Sequence, residues 1–153
     1  MSSFFPLFVD VTQFQTVIIG GGQIAERRIQ VLRQFDAHIL LIAPETTEAL
    51  QQLAATGQIL WLQRPYQEGD LADASIGMAI IATNQREVNH NAGKEAVQNG
   101  IPVSVADRKE ESTFYFPGIA KKDNIVAGIT ASGMDHKEAA RVTKKIRQFL
   151  EEE

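Results

Sequence analysis

Three consecutive glycines, Gly20-Gly21-Gly22, follow the apolar run Thr16-Val17-Ile18-Ile19 and precede Gln23-Ile24-Ala25-Glu26-Arg27-Arg28. The spacing Gly20-x-Gly22-x-x-Ala25 fits a turn that holds a dinucleotide pyrophosphate. Gly20 permits the tight turn. Gly22 has no Cβ, so a phosphate can approach the backbone. Ala25 is small enough for a helix to pack close to the strand. The first amides of that helix then face the phosphates, where the helix dipole favours negative charge. The same glycines also serve a plain strand–helix turn without a ligand.

Three more segments carry candidate chemistry, each just past an apolar run. Glu45, in Ala43-Pro44-Glu45, stands 23 positions beyond Gly22, about where an acidic residue binds a ribose 2′-hydroxyl and selects NAD over NADP. A charge at the start of the next helix accounts for it equally well. Thr83 and Asn84 are small and polar and can flank a nicotinamide ribose, although Asn84 also suits a helix cap. Asp107 closes Ser104-Val105-Ala106-Asp107. A carboxylate there can accept a proton while hydride leaves a neighbouring carbon, or it is simply an exposed loop acid. His38, His90 and His136 lack metal-ligand spacing, so no metal is expected. His38 reads as packed at a strand start and the other two as solvated.

The elements that must position these residues alternate in type. Residues 4–11 read as extended and 12–15 as a turn. Apolar strands are predicted at 16–19, 38–42, 59–62, 78–82 and 101–105. A helix over 23–35 would bury Ile24, Ile29, Val31, Leu32 and Phe35. A second, capped by Thr46 or Thr47, runs through residue 55 to Gly57, and a third spans 87–98 before Gly100. The fold class is therefore α/β, a Rossmann-type parallel sheet with helices on both faces. In such sheets ligands lie outside the carboxyl ends of the strands, where the four segments above fall. After residue 105 the rhythm changes. Residues 113–117 and 124–130 read as extended with Lys121-Lys122-Asp123 as the turn, and 137–150 as a terminal helix contacting through Ala140, Val142, Ile146, Phe149 and Leu150. Two strands and a helix cannot form a core alone. The expected organisation is a nucleotide domain over 1–112 and a dimerisation segment over 113–153.

Composition narrows the class further. The chain has 153 residues, 44% of them hydrophobic and 22% charged, with no cysteine. Disulfides, thiolate nucleophiles and cysteine metal sites are thereby excluded. No apolar run reaches membrane-spanning length, and the start lacks a basic segment and a long apolar core, so a cytoplasmic protein without a signal peptide, membrane contact or nucleic-acid partner is expected. Residues 1–103 hold 10 acidic and 6 basic side chains, and residues 104–150 hold 6 and 9. A basic back half suits an anionic partner, or is a solvated helix face.

The succession of motifs is more specific than the fold. Phe5-Pro6-Leu7-Phe8-Val9-Asp10, the glycine turn through Arg28, Ala43-Pro44, Ile80-Ile81-Ala82-Thr83-Asn84 with Glu87-Val88-Asn89, Val103-Ser104-Val105-Ala106-Asp107 and Thr113-Phe114-Tyr115-Phe116-Pro117 follow in order. Together they resemble the precorrin-2 dehydrogenase module of siroheme synthases over nearly the whole chain. The resemblance implies NAD-dependent oxidation of precorrin-2 to sirohydrochlorin. It places cofactor contacts at Gln23, Ile24, Pro44 and Glu45, the key carboxylate at Asp107, and a homodimer. The alternatives are a bifunctional enzyme that also inserts iron into sirohydrochlorin, and a non-catalytic NAD(H)-sensing module. Arg108, Lys109, Lys121, Lys122, Arg141, Lys144 and Lys145 have the sign to hold a tetrapyrrole rich in carboxylates. Three features depart from the family pattern. Ser104 stands where asparagine is common. The stretch 130–137 matches the family's glycine turn only with a one-residue offset and no proline, which puts its functional serine at Ser132. The further helical domain of longer members has no counterpart before Glu153, so a more open substrate cleft is expected.

Overall fold

Val17, Ile18 and Ile19 have essentially no exposed surface, because their strand is covered on both faces. They belong to β1 (Gln15–Ile19), the centre of a five-stranded sheet in a computed structural model that describes residues 3–153. The sheet also contains β2 (His38–Ile42), β3 (Leu60–Leu62), β4 (Ile76–Ile81) and β5 (Val103–Val105). All neighbours pair in parallel, in the order β3-β2-β1-β4-β5. That order reverses direction between β1 and β4, which creates the crevice where such sheets bind ligands. The connecting helices are α1 (Gln23–Arg33), α2 (Glu48–Ala55) and α3 (Arg86–Gln98). This compact unit spans Val9–Thr113.

Each helix presents a narrow stripe to the sheet. On α1 the buried positions are Ala25, Ile29 and Leu32, spaced i, i+4, i+7. Ile24 is not among them and stays 41% exposed, and Phe35 lies beyond the last turn. The expected apolar face of α1 is corrected in that respect. His38 is exposed at the start of β2 rather than packed. Burying a side chain such as Ile29 or Leu50 completely is worth about 1.5–3 kcal/mol.

The second unit joins residues 3–8 to Phe114–Glu153. It contains the antiparallel hairpin β6 (Gly118–Lys122) and β7 (Ile125–Ile129), followed by α4 (His136–Glu152). The sequence places this hairpin too early. Lys121 and Lys122 lie in β6, and the turn is Asp123-Asn124, with Asp123 at φ 52°. Pro117 has no N–H for a ladder, so the strand begins after it. Residues 4–8 likewise form no strand. Pro6 interrupts them, and Phe5, Leu7 and Phe8 are exposed, while Phe4 stacks on Tyr115 at 4.1 Å between ring centroids. On α4 the most buried residue is Thr143, whose methyl and hydroxyl pack over Gly118. Ala139, Val142, Ile146 and Leu150 flank it, while Ala140 and Phe149 are exposed in the single chain. Among the described residues no helix is long and apolar enough to cross a membrane.

Candidate active site at the carboxyl edge of the sheet

Four loops leave the sheet at one level. Gly20 donates its N–H to Ile42 O at 3.0 Å and Ala43 to Leu62 O at 3.2 Å. Ala82 donates to Ile19 O at 2.7 Å and Ala106 to Ile81 O at 2.9 Å. The strand ends are therefore in step, and residues 20–25, 43–46, 82–85 and 106–108 emerge side by side at the carboxyl edge.

The three glycines fall into two roles. Gly20 adopts φ 109°, and a Cβ on it would lie 2.2 Å from Ala82 O. A Cβ on Gly21 would lie 2.2 Å from Glu45 O and 2.8 Å from Thr46 Cβ. A Cβ on Gly22 would meet no atom within 4 Å. Two glycines thus let neighbouring loops nest against the turn, and the third keeps open space in front of α1. Gly22 is the N-cap of α1 and has no side chain to cap it. The first helical bond runs from Glu26 N–H to Gly22 O at 3.0 Å, so the amides of Gln23, Ile24 and Ala25 precede it and need acceptors from outside the helix. Open space, outward amides and the positive end of the dipole fit a diphosphate.

The loop after β2 is latched to this turn. Thr46 Oγ1 donates to Gly21 O at 2.9 Å, whereas Thr47 Oγ1 caps α2 by accepting from Leu50 N–H at 3.3 Å. The two threonines that looked interchangeable in sequence have separate tasks. Trp61 Nε1 donates to Ala43 O at 2.9 Å and steadies the loop from β3. The side chains of Pro44 and Glu45 remain exposed.

The turn after β4 is held by Asn89, which is fully buried. Its Oδ1 accepts from Thr83 N–H at 3.1 Å and from Thr83 Oγ1 at 2.5 Å, and its Nδ2 donates to Thr83 O at 3.1 Å. Thr83 is therefore committed to shaping the turn. Asn84 is exposed and does not cap α3, whose N-cap is Gln85 without a side-chain bond.

Asp107 is half-exposed beyond β5 and paired. Arg86, at the first turn of α3, donates Nη1 to Asp107 Oδ1 at 2.9 Å and Nη2 to Glu111 Oε2 at 2.5 Å. His90 Nδ1 lies 3.1 Å from the other oxygen of Glu111, so this histidine is engaged despite its exposure. Partial burial alone would raise the Glu111 pKa, but the bonds from His90 and Arg86 outweigh it and hold the carboxyl below its ordinary value. Sequence reading missed Arg86 and Glu111. A signal was present in the i, i+4 spacing of Arg86 and His90 on one helix face. Ser104, on β5, is buried and accepts from Arg28 Nη1 at 3.1 Å. Burial, with Arg27 adding to it, lowers the Arg28 pKa. The fold thus brings Gly20, Gly22, Gln23, Ile24, Pro44, Glu45, Thr83, Asn84 and Asp107 to one edge of the larger unit. Ser132 lies in the other unit, exposed at φ 56°, with its N–H on Thr130 Oγ1 at 3.2 Å.

Known proteins resemble this chain in sequence and in fold. Residues 7–118 match the family described as "Putative NAD(P)-binding". The chain is 38% identical over 146 residues to the "Probable multifunctional siroheme biosynthesis protein HemA" of Ruminiclostridium josui, covering 95% of this chain and 28% of that protein. It is 32% identical over 150 residues to the siroheme synthase of Xylella fastidiosa (strain M12), covering 98% of this chain and 30% of that protein. The chain spans less than a third of the length of these curated relatives. The solved structure of SirC, precorrin-2 dehydrogenase, matches with a TM-score of 0.81 at 21% identity, over 97% of this chain and 74% of that one. At that identity the likeness is one of fold. The chain belongs to the NAD(P)-binding family matched across its sheet.

Proposed function

We propose that this chain oxidises precorrin-2 to sirohydrochlorin, with NAD as the hydride acceptor. The observation that carries the reading is the open cradle at Gly22 on the same sheet edge as Asp107, in a chain similar to a siroheme biosynthesis protein and a siroheme synthase over 95% and 98% of its length. The amides of Gln23, Ile24 and Ala25 would hold the pyrophosphate. Glu45 would accept from the adenosine ribose hydroxyls, with Pro44 beside it. Thr83 and Asn84 would border the nicotinamide ribose. NAD, when bound, supplies the acceptor for the hydride. Asp107 takes the proton that leaves the macrocycle with it, and its bridge to Arg86 supplies the counter-charge for that carboxylate.

A second copy of the chain would cover the smaller unit, where Ile125, Met134 and Phe149 are all more than half exposed. Residues 113–153 are accordingly read as the dimerisation segment. Lys121, Lys144 and Lys145 have the sign to hold substrate carboxylates. Arg141 is already paired with Glu138 at 2.5 Å. By the family resemblance Ser132, next to Gly133 in the smaller unit, would be the functional serine. The absence of cysteine and the use of a soluble pyridine nucleotide suit the cytoplasm.

The test is direct. Purified protein is incubated with precorrin-2 and NAD, and NADH absorbance is followed. Turnover is expected, and Asp107→Ala should lower it by at least about a hundredfold while NAD affinity stays within about twofold. Tight NAD uptake without turnover would overturn the dehydrogenase reading in favour of nucleotide sensing.

A further inference from the structure

We propose that Arg86 is a positioning residue for Asp107, and that Glu111 fixes the orientation from which it acts. The inference rests on the reading of Asp107 as the proton acceptor. Its basis is the way four side chains from two elements are linked. Helix α3 carries Arg86, His90 and Gly93 at i, i+4 and i+7, along one stripe facing the segment after β5. Gly93 lets that segment come close: a Cβ there would lie 3.1 Å from Val105 Cγ2 and 3.9 Å from Glu111 Oε2.

Glu111 is a fixed point. Its own N–H bonds Arg108 O at 3.1 Å. The two residues after it run along β5, with Ser112 Oγ accepting from Val105 N–H at 2.8 Å and Thr113 Oγ1 accepting from Val103 N–H at 2.9 Å. Both of its carboxylate oxygens are engaged from α3, Oε2 by Arg86 and Oε1 by His90.

Arginine alone is a poor positioning device, because its side chain loses much rotamer freedom when held. Here one arm of the guanidinium is already held by Glu111. The other arm is thereby presented to Asp107, and it takes only Oδ1. A carboxylate gripped at one oxygen has a fixed rotamer and a counter-charge, with Oδ2 outside the bridge to meet substrate. Each of these exposed pairs contributes little to stability alone, and it is their linkage into one network that holds Asp107 in place.

The experiment is a set of double-mutant cycles on the full chain, with precorrin-2 and NAD as substrates. Arg86→Gln should lower kcat at least about tenfold and leave KM for NAD within about twofold, and Arg86→Lys should recover part of the loss. In an Asp107→Asn background, Arg86→Gln should cost less than about twofold, because the partner it acts through is gone. Equal costs in both backgrounds would overturn the proposal. Should Arg86→Gln fail to fold, Arg86→Lys carries the same cycle. A second readout needs no turnover. In the protein without substrate, Glu111→Gln should move the backbone amide signal of Asp107 in a proton–nitrogen spectrum, and an unmoved signal would remove Glu111 as the anchor. Failure of the underlying reading looks different: Asp107→Asn alone would then be as active as the parent.

Discussion

The carbonyl oxygen of Ala82 lies where a side chain on Gly20 would begin, 2.2 Å from the Cβ position. Ala82 follows β4 and Gly20 follows β1, two strands that are neighbours only because the sheet changes direction between them. The contact is therefore the crevice itself, built from backbone. Gly20→Ala would meet both this contact and the strain of φ 109°. A loss of about 3 kcal/mol or more in folding free energy is expected, read from urea unfolding, along with loss of NAD binding. A variant of parental stability would mean that the two turns can separate at little cost.

Gly22→Ala separates ligand binding from folding. Gly22 has φ −88° and ψ −164°, which alanine adopts freely, and its Cβ would enter empty space. Stability should change by no more than about 0.5 kcal/mol. NAD affinity, measured by calorimetry, should fall at least about tenfold, because the methyl group occupies the approach to the amides of α1. Unchanged affinity would remove Gly22 from the cradle.

Sequence and structure agree where one local rule decides. The apolar runs 16–19 and 38–42 are short and bounded by turn signals, so they read as strands of a covered parallel sheet, and the glycine turn marks the start of α1. Gly20, Gly22 and Asp107 were legible because their types and spacing already imply a position at a strand end. Asn89 and Arg86 were not, since an asparagine inside a helix looks like a solvated residue until Thr83 folds back onto it. The hairpin was displaced because Pro117 extends an apolar run that it cannot continue as a ladder. Gly21 carried no separate signal either. Its role depends on Glu45 and Thr46, which are distant in sequence and adjacent only once β2 lies beside β1.

Acid should weaken the segment after β3 in a defined window. Arg64 holds Asp70 through two bonds of 2.8 and 2.9 Å, and Asp70 also accepts from Gln67 N–H at 2.7 Å. The hydrogen bonds from Arg64, which lead, and from Gln67 outweigh burial and lower the Asp70 pKa. A depressed carboxyl stabilises the fold above its unfolded value of 3.8, and that contribution is lost as pH falls through the folded value. Asp70→Asn should therefore be less stable than the parent at pH 7, with the difference closing as pH drops below the ordinary carboxylate range. Thermal melts at a series of pH values check this. A difference that stays constant down to the lowest pH would assign the loss to altered hydrogen bonding rather than to charge.

If Glu45 holds the adenosine ribose as proposed, coenzyme choice turns on it. Its main-chain oxygen is packed against Gly21, yet its side chain is exposed and free of packing duty, so replacing the side chain leaves the loop in place. A carboxylate at this point accepts from a ribose 2′-hydroxyl and repels a 2′-phosphate, which favours NAD on both counts. Glu45→Ala should raise KM for NAD by about tenfold and cut the preference for NAD over NADP by at least as much. The melting temperature should stay within about 2 °C. The ratio of kcat/KM for the two coenzymes is the measurement. If the ratio does not move, Glu45 is only an acidic residue three positions before α2, favourable to the helix dipole, and the ribose must be recognised elsewhere along the edge.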